Sequence, residues 1–373
     1  MQAERSSFDV LRSGVPEAPE PQERDSKSVH SILPANRLLR RLVAILAGLR
    51  NASKALLRLL GRQRYQPGPY TILVTGASVG IGLEVAKLLS ATEHRLALTA
   101  RASSLSRFAA QGLVEGPRLM LLPLDITNDE QRNAAITAVE QRWGGVDVLV
   151  NNAGVSYRSV AEHVTEADSV AQLNANFFGP MALIRRVLPR MRAQRHGRII
   201  NVSSVGGMTA MPTMSVYSAS KFALEGASEA LWYEMRPWGI SVSLVRPGFI
   251  NSDGFRKVRF TSEGERARKD QRSPYHAHYR NMEELIGALM LLTFHTPRDV
   301  AETIVETIEQ KQPGLWIAGT WDAYAFDLLR RLLPSALYNR LLYAGLPRVW
   351  EWGSDDERDE DDTRPLDDEP PTA

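Results

Sequence analysis

The 373-residue chain contains no cysteine, which excludes a disulfide framework, a thiolate metal site and catalysis by a cysteine nucleophile. Long apolar runs are missing too. The longest, residues 42–49, is bounded by Arg41 and Arg50, whereas a membrane-spanning helix needs about 20 residues, so no transmembrane helix is expected. A large net charge of either sign is also absent, the balance being +2. With 45 Lys plus Arg against 43 Asp plus Glu, charge alone marks no nucleic-acid-binding surface. What the chain does have is 43% apolar residues, enough to bury a sizeable core.

The balanced total hides an asymmetry along the chain. Residues 31–68 carry eight basic side chains and no acid, while residues 351–373 carry eleven acids against Arg358 and Arg364. The tail 351–373 and the first 30 residues, which mix Pro, Glu, Ser and Arg without apolar periodicity, are expected to be disordered. Residues 31–66 read as a basic amphipathic extension: Leu42, Ile45, Leu46, Leu49, Leu56, Leu57 and Leu60 share one helix face, with Arg37, Arg41, Asn51, Lys54 and Arg58 opposite. Over 37–60 such a helix either lies on an anionic membrane surface or packs on the body of the protein or a second subunit. The polar opening argues against a secretory signal, and six acids ahead of the helix argue against a mitochondrial presequence. The expectation is a cytoplasmic homo-oligomer, not secreted, with peripheral membrane contact as an open reading.

Between residues 67 and 320 short apolar runs alternate with helical stretches. Residues 71–75, 95–100, 119–123, 146–151, 198–202, 240–245 and 315–318 read as strands, and that alternation predicts a doubly wound α/β domain around a mainly parallel sheet. From 321 to 350, leucines at helical spacing on either side of Pro334 predict a C-terminal extension of two short amphipathic helices.

The first strand runs into Thr75-Gly76-Ala77-Ser78-Val79-Gly80-Ile81-Gly82 and a helix over 83–90. Glycines at such a turn let backbone N–H groups approach a pyrophosphate, whose charge the helix N-terminus favours. The spacing is not Gly-x-Gly-x-x-Gly, so by itself it fits a nucleotide loop or an ordinary turn. The second strand ends at Arg101, where an acid would bind the ribose hydroxyls of NAD and an arginine can pair with the 2′-phosphate of NADP; a solvated surface arginine is the alternative. Further on stand Asp125, Asn151-Asn152-Ala153-Gly154, Asn176, Ser203-Ser204, and Tyr217 with Lys221 one helical turn later.

In that order these motifs resemble the short-chain dehydrogenase/reductase family, over about residues 70–319. The resemblance matches all four positions of the family's catalytic tetrad: Asn176, Ser204, Tyr217 and Lys221, with Ser204 preferred over Ser203 because it precedes Tyr217 by thirteen residues. It implies a Rossmann-type fold whose cofactor meets Gly76, Ser78, Gly80, Ile81 and Gly82 at the pyrophosphate and Arg101 at the phosphate. Asp125 would meet the adenine, and Asn152, Ala153 and Gly154 would line the adenosine and ribose side. Tyr217 and Lys221 would meet the nicotinamide ribose, and Pro247, Gly248 and Ile250 its amide. NADP(H) is favoured over NAD(H). Tyr217 would exchange a proton with the substrate oxygen and Ser204 would orient that oxygen. A free tyrosine is only about 0.1% ionised at pH 7, and lowering its pKa to about 7 takes ~4 kcal/mol, for which a lysine one turn away has the right sign.

Residues 252–296 occupy the family's substrate-lid position. Their first part is basic (Arg256, Lys257, Arg259, Arg266, Arg268, Lys269) and would meet an anion or a membrane, or else be solvated; the second is apolar (Leu285, Ile286, Leu289, Met290, Leu291, Leu292) and would meet a lipophilic substrate or simply dock the lid. His276-x-His278 lacks further ligands and reads as a loop pair, so no metal site is expected. The Trp350 and Trp352 side chains read as interfacial anchors or as cover for the substrate mouth or a dimer seam. The expected activity is NADP(H)-dependent interconversion of a carbonyl and an alcohol on a steroid-, retinoid- or keto-lipid-like molecule, in the reductive direction. Its rivals are an NAD-linked alcohol dehydrogenase and a non-catalytic nucleotide-binding scaffold.

Overall fold

Strands that are apolar at most consecutive residues need cover on both faces, and seven strands, most of them of this kind, pair side by side in this chain. The computed structural model describes residues 68–252 and 259–353. The basic extension, the first 30 residues, the acidic tail from residue 354, and Arg256 and Lys257 of the lid lie outside the described residues.

The strands are β1 (Thr71–Val74), β2 (Arg95–Ala100), β3 (Leu119–Pro123), β4 (Val148–Asn151), β5 (Gly197–Val202), β6 (Ile240–Arg246) and β7 (Trp316–Ala318). They form one sheet in the order β3-β2-β1-β4-β5-β6-β7, and every pairing is parallel. The order reverses between β1 and β4, where Ile72, Leu73 and Val74 pair with Val148, Leu149 and Val150. In open α/β sheets ligands bind at the carboxyl ends of the strands at such a reversal.

Alternation along each strand feeds two cores. Ile72, Val74, Leu98 and Val150 pack against α1 (Gly80–Ser90) and a helix at 297–309, while Leu73, Ala97, Leu149 and Ile199 pack on the other side. That second face is covered by α2 (Asp129–Trp143), α4 (Gly179–Ala193) and α5 (Ser215–Met235), with α3 (Glu166–Leu173) just ahead of α4. Local signals start the helices. Asn128 caps α2 by accepting from Gln131 N at 3.0 Å, and Thr165 with Asp168 forms a capping box on α3.

The expected strand at 146–151 starts at Val148 because Asp147 is engaged at its entry, accepting from Thr71 N at 2.8 Å through Oδ2. The helix expected over 83–90 starts at Gly80, so its first turn is the glycine loop itself. The lid contains α6 (Ser262–Lys269) and α7 (His276–Leu292), so His276 and His278 open a helix rather than sit in a loop. The bases of α6 are paired locally: Arg266 with Glu263, Arg268 with Glu265 and Glu283, and Lys269 with Glu265. Among the described side chains of α7, Tyr279, Asn281, Met282 and Ile286 are buried. After α8 (Pro297–Glu309), the extension folds as α9 (Trp321–Leu332) and α10 (Ser335–Ala344), split at Pro334 as expected. The Trp352 ring packs at a tilt against His278 of the lid with centroids 4.5 Å apart, while Trp350 is 75% exposed. Among the described residues no helix is long and apolar enough to cross a membrane.

Leu149 on central β4 is fully buried. Leu149→Ala is therefore expected to cost about 2–5 kcal/mol, read as a lowered denaturation midpoint at unchanged slope in a chemical-denaturant titration.

Candidate active site

The loops that leave β1 and β4 meet at the sheet reversal. Thr75 Oγ1 accepts from the backbone N–H groups of Asn152 and Ala153, both at 3.0 Å, and Asn152 Nδ2 donates to the carbonyls of Thr75 at 3.0 Å and Gly76 at 3.1 Å. Asn152 is thus spent on holding the glycine loop. Gly76 has φ +65°, and a Cβ there would stand 2.9 Å from Ala153 Cα; one on Gly82 would stand 2.4 Å from Gly76 O. Only bare backbone fits. Gly80, also at positive φ (+58°), faces open space. The α1 N-cap, Val79, gives no side-chain hydrogen bond, which leaves the first-turn N–H groups to an outside acceptor. These features fit a dinucleotide pyrophosphate. Arg101 is exposed at the end of β2, and Ser78 and Ile250 are buried. Asp125 accepts from Thr127 N at 2.9 Å and Thr127 Oγ1 at 2.7 Å, closing the turn into α2.

The tetrad residues come from three elements and converge. Asn176 lies in a π turn, Asn174–Phe178, between α3 and α4; such bulges re-aim side chains and recur at functional sites. The Asn176 side chain is anchored at both ends: Oδ1 accepts from Val155 N at 2.8 Å, while Nδ2 donates to Val155 O at 2.9 Å and Ser220 Oγ at 3.0 Å. Ser220 Oγ in turn donates to the Tyr217 carbonyl at 2.7 Å. Lys221 Nζ donates to Val202 O at 2.9 Å, at the end of β5. A Cβ on Gly154 would lie 3.0 Å from Asn176 Oδ1 and 3.8 Å from Lys221 Nζ, and one on Gly206 would lie 2.9 Å from the Tyr217 ring and 3.5 Å from Ser204 Oγ. Gly154 therefore leaves room beside Asn176 and Lys221, and Gly206 beside Tyr217 and Ser204.

Electrostatics around the phenol pull in opposite directions. Burial pushes the Tyr217 hydroxyl up, and a hydrogen bond to Ser204 and the Arg158 cation pull it down. Burial lowers Lys221 to about 8, opposed by Glu225. Glu225, 8% exposed, is pushed up by burial and held down by Arg246, Ser203 and Lys221. Arg246 forks onto both of its oxygens at 3.0 and 2.5 Å and reaches Asp327 of α9 at 3.2 Å.

Arg158, Glu225 and Arg246 were not found from sequence. Glu225 sits four residues after Lys221 on the α5 stripe, a spacing that could have revealed it. Arg158 gives no such signal: its burial, at 7% exposed, depends on the lid, where its N–H donates to Arg259 O at 2.8 Å. No cluster of three or more His, Asp or Glu able to hold a metal occurs among the described residues.

Residues 70–263 match the family model described as short chain dehydrogenase, and the chain belongs to the short-chain dehydrogenase/reductase family: it is an oxidoreductase acting on CH–OH and carbonyl groups. Among its relatives, a 3-ketodihydrosphingosine reductase of Bacteroides thetaiotaomicron is 41% identical over 52% of this chain and 69% of its own length. Retinol dehydrogenase 8 of Homo sapiens is 34% identical over 66% and 80%. The crystal structure of a short-chain dehydrogenase from Streptomyces avermitilis superposes with a TM-score of 0.61 at 30% identity, covering 74% of this chain and 99% of that one.

Removing the Arg158 cation raises the pH at which tyrosinate forms. In Arg158→Met the near-ultraviolet tyrosinate titration, taken as the difference from the matching Tyr217→Phe protein, is expected to move up by on the order of one pH unit. Arg158→Lys keeps it near the parent value, and an unmoved midpoint in Arg158→Met contradicts the placement.

Proposed function

We propose that this oxidoreductase uses NADP(H) to reduce the carbonyl of a lipophilic small molecule, of steroid, retinoid or keto-lipid class. The observation that carries the reading is the convergence of Asn176, Ser204, Tyr217 and Lys221 beside a glycine loop that fits a pyrophosphate. When bound, the nicotinamide supplies or accepts the hydride. Gly76, Gly80, Gly82 and the α1 N-terminus would hold its pyrophosphate, and Arg101 the 2′-phosphate that separates NADP from NAD.

The residues of this chain then do the proton work. Tyr217 donates to the carbonyl oxygen, and its burial suits that direction, because a phenol held up in pKa stays in the protonated form a donor needs. Ser204, whose side chain pulls the Tyr217 hydroxyl down, orients the same oxygen. Lys221 stabilises the phenolate left behind and would hold the nicotinamide ribose, and Asn176 keeps the Gly154–Val155 backbone and α5 together around it.

The lipophilic substrate draws support from the names of the two relatives and from the apolar side chains of the lid. Peripheral membrane contact through 37–60 is part of this reading. The exposed Leu328, Leu332, Leu341 and Trp350 of the C-terminal segment support it, and exposed Phe178, Phe222 and Tyr233 support a homo-oligomer.

In a fluorescence titration NADPH is expected to bind at least about tenfold tighter than NADH, a difference of ~1.4 kcal/mol, and Arg101→Ala removes the preference. Equal binding would favour the NAD-linked alcohol dehydrogenase, and binding of neither the scaffold. Sedimentation with anionic liposomes is expected to carry the protein down, and deletion of residues 31–64 abolishes this; binding that survives the deletion sinks the membrane role of the basic helix.

A further inference from the structure

The loop after β6, residues 247–251, is held from outside by the start of the C-terminal extension. Gly248 N donates to Thr320 Oγ1 at 2.8 Å and Phe249 N to Asp322 Oδ2 at 2.6 Å. Asn251 N donates to His295 O at 2.9 Å, and Thr293 Oγ1 donates to Phe249 O at 2.8 Å. The two outside segments are themselves tied, because His295 Nε2 accepts from Trp321 N at 3.0 Å. The approach is so close that a Cβ on Gly248 would fall 1.9 Å from Asp322 Oδ2. The second carboxylate oxygen, Asp322 Oδ1, is buried and without a hydrogen-bond partner among the described residues. Asp322 lies in the first turn of α9, where the helix dipole favours its charge.

We propose that Thr320 and Asp322 are positioning residues for the nicotinamide end of the cofactor, so that the C-terminal extension is a working part of the cofactor site. This rests on the reading that residues 247–250 flank the nicotinamide. Pro247 fixes only its own φ, while Gly248 leaves the loop beyond it free, and fixing its backbone donors beforehand lowers the ordering cost that binding would otherwise carry. The clamp acts on one half of the dinucleotide. The adenosine half meets the glycine loop and Arg101, which Thr320 and Asp322 do not touch.

The test compares NADPH, followed by its fluorescence, with adenosine 2′,5′-bisphosphate, which lacks the nicotinamide, followed by calorimetry. Asp322→Ala is expected to weaken NADPH about tenfold, the scale of one hydrogen bond to a charged group, and to leave the bisphosphate within about twofold. Asp322→Asn keeps an acceptor for Phe249 N and restores most of the NADPH affinity. Equal weakening of both probes, or unchanged NADPH binding, overturns the proposal. If Asp322→Ala does not fold, Thr320→Val removes the acceptor from Gly248 N and is read against the same two probes. A parent protein that binds the bisphosphate and NADPH equally well refutes the clamp, whereas one that binds neither refutes the cofactor reading itself.

Discussion

Thr75 and Asn152 tie the two loops that leave β1 and β4, and the rest of the site depends on that tie. One hydroxyl accepts two backbone N–H groups, and one amide donates to two carbonyls. The glycine loop on one side and Gly154 on the other are thereby held as a single piece. Because Gly154 borders both Asn176 and Lys221, the same knot sets the glycine loop beside the side chains proposed for proton transfer. Its location at the sheet reversal follows from the strand order, since only there do two neighbouring loops diverge to leave a crevice.

The protein buries three cations near α5: Arg158, Lys221 and Arg246 are each less than 9% exposed, with Arg158 acting on Tyr217 and Arg246 bound to Glu225. Burying a cation is costly unless a carboxylate and hydrogen bonds offset it. Glu225 does so for Arg246 by a forked pair and for Lys221 through space, and Glu283 of the lid does so for Arg158. Asp327 and Asp322 both come from α9, so the C-terminal extension makes contact at two places, one on Arg246 and one on the loop after β6. The lid makes contact at a third, through the pairing of Arg259 with the 157–158 backbone.

Much of this was legible beforehand. The seven strands were read nearly to their ends because parallel strands buried on both faces leave continuous apolar runs, and the break at Pro334 was readable because proline cannot continue a helix. The four residues proposed for the proton work were readable as an ordered set. The π turn at Asn176 was not, since nothing in Asn-Ala-Asn-Phe-Phe distinguishes it from ordinary helix and only the packing of α3 and α4 requires it. The basic lid was misleading as a list of charges, because the acids that pair with α6 lie one helical turn away or on α7.

The amino-acid sequence by itself determined the sheet and the glycine turn and supplied the side chains proposed to carry the chemistry, because these rest on local periodicity, backbone freedom and residue type. The tertiary structure alone decided which charges face the phenol and what holds the loop after β6. Arg158 and Tyr217 are separated by more than fifty residues, and Gly248 and Asp322 by more than seventy. Electrostatic and hydrogen-bond partnerships of that kind depend on distance in space, which no local pattern encodes.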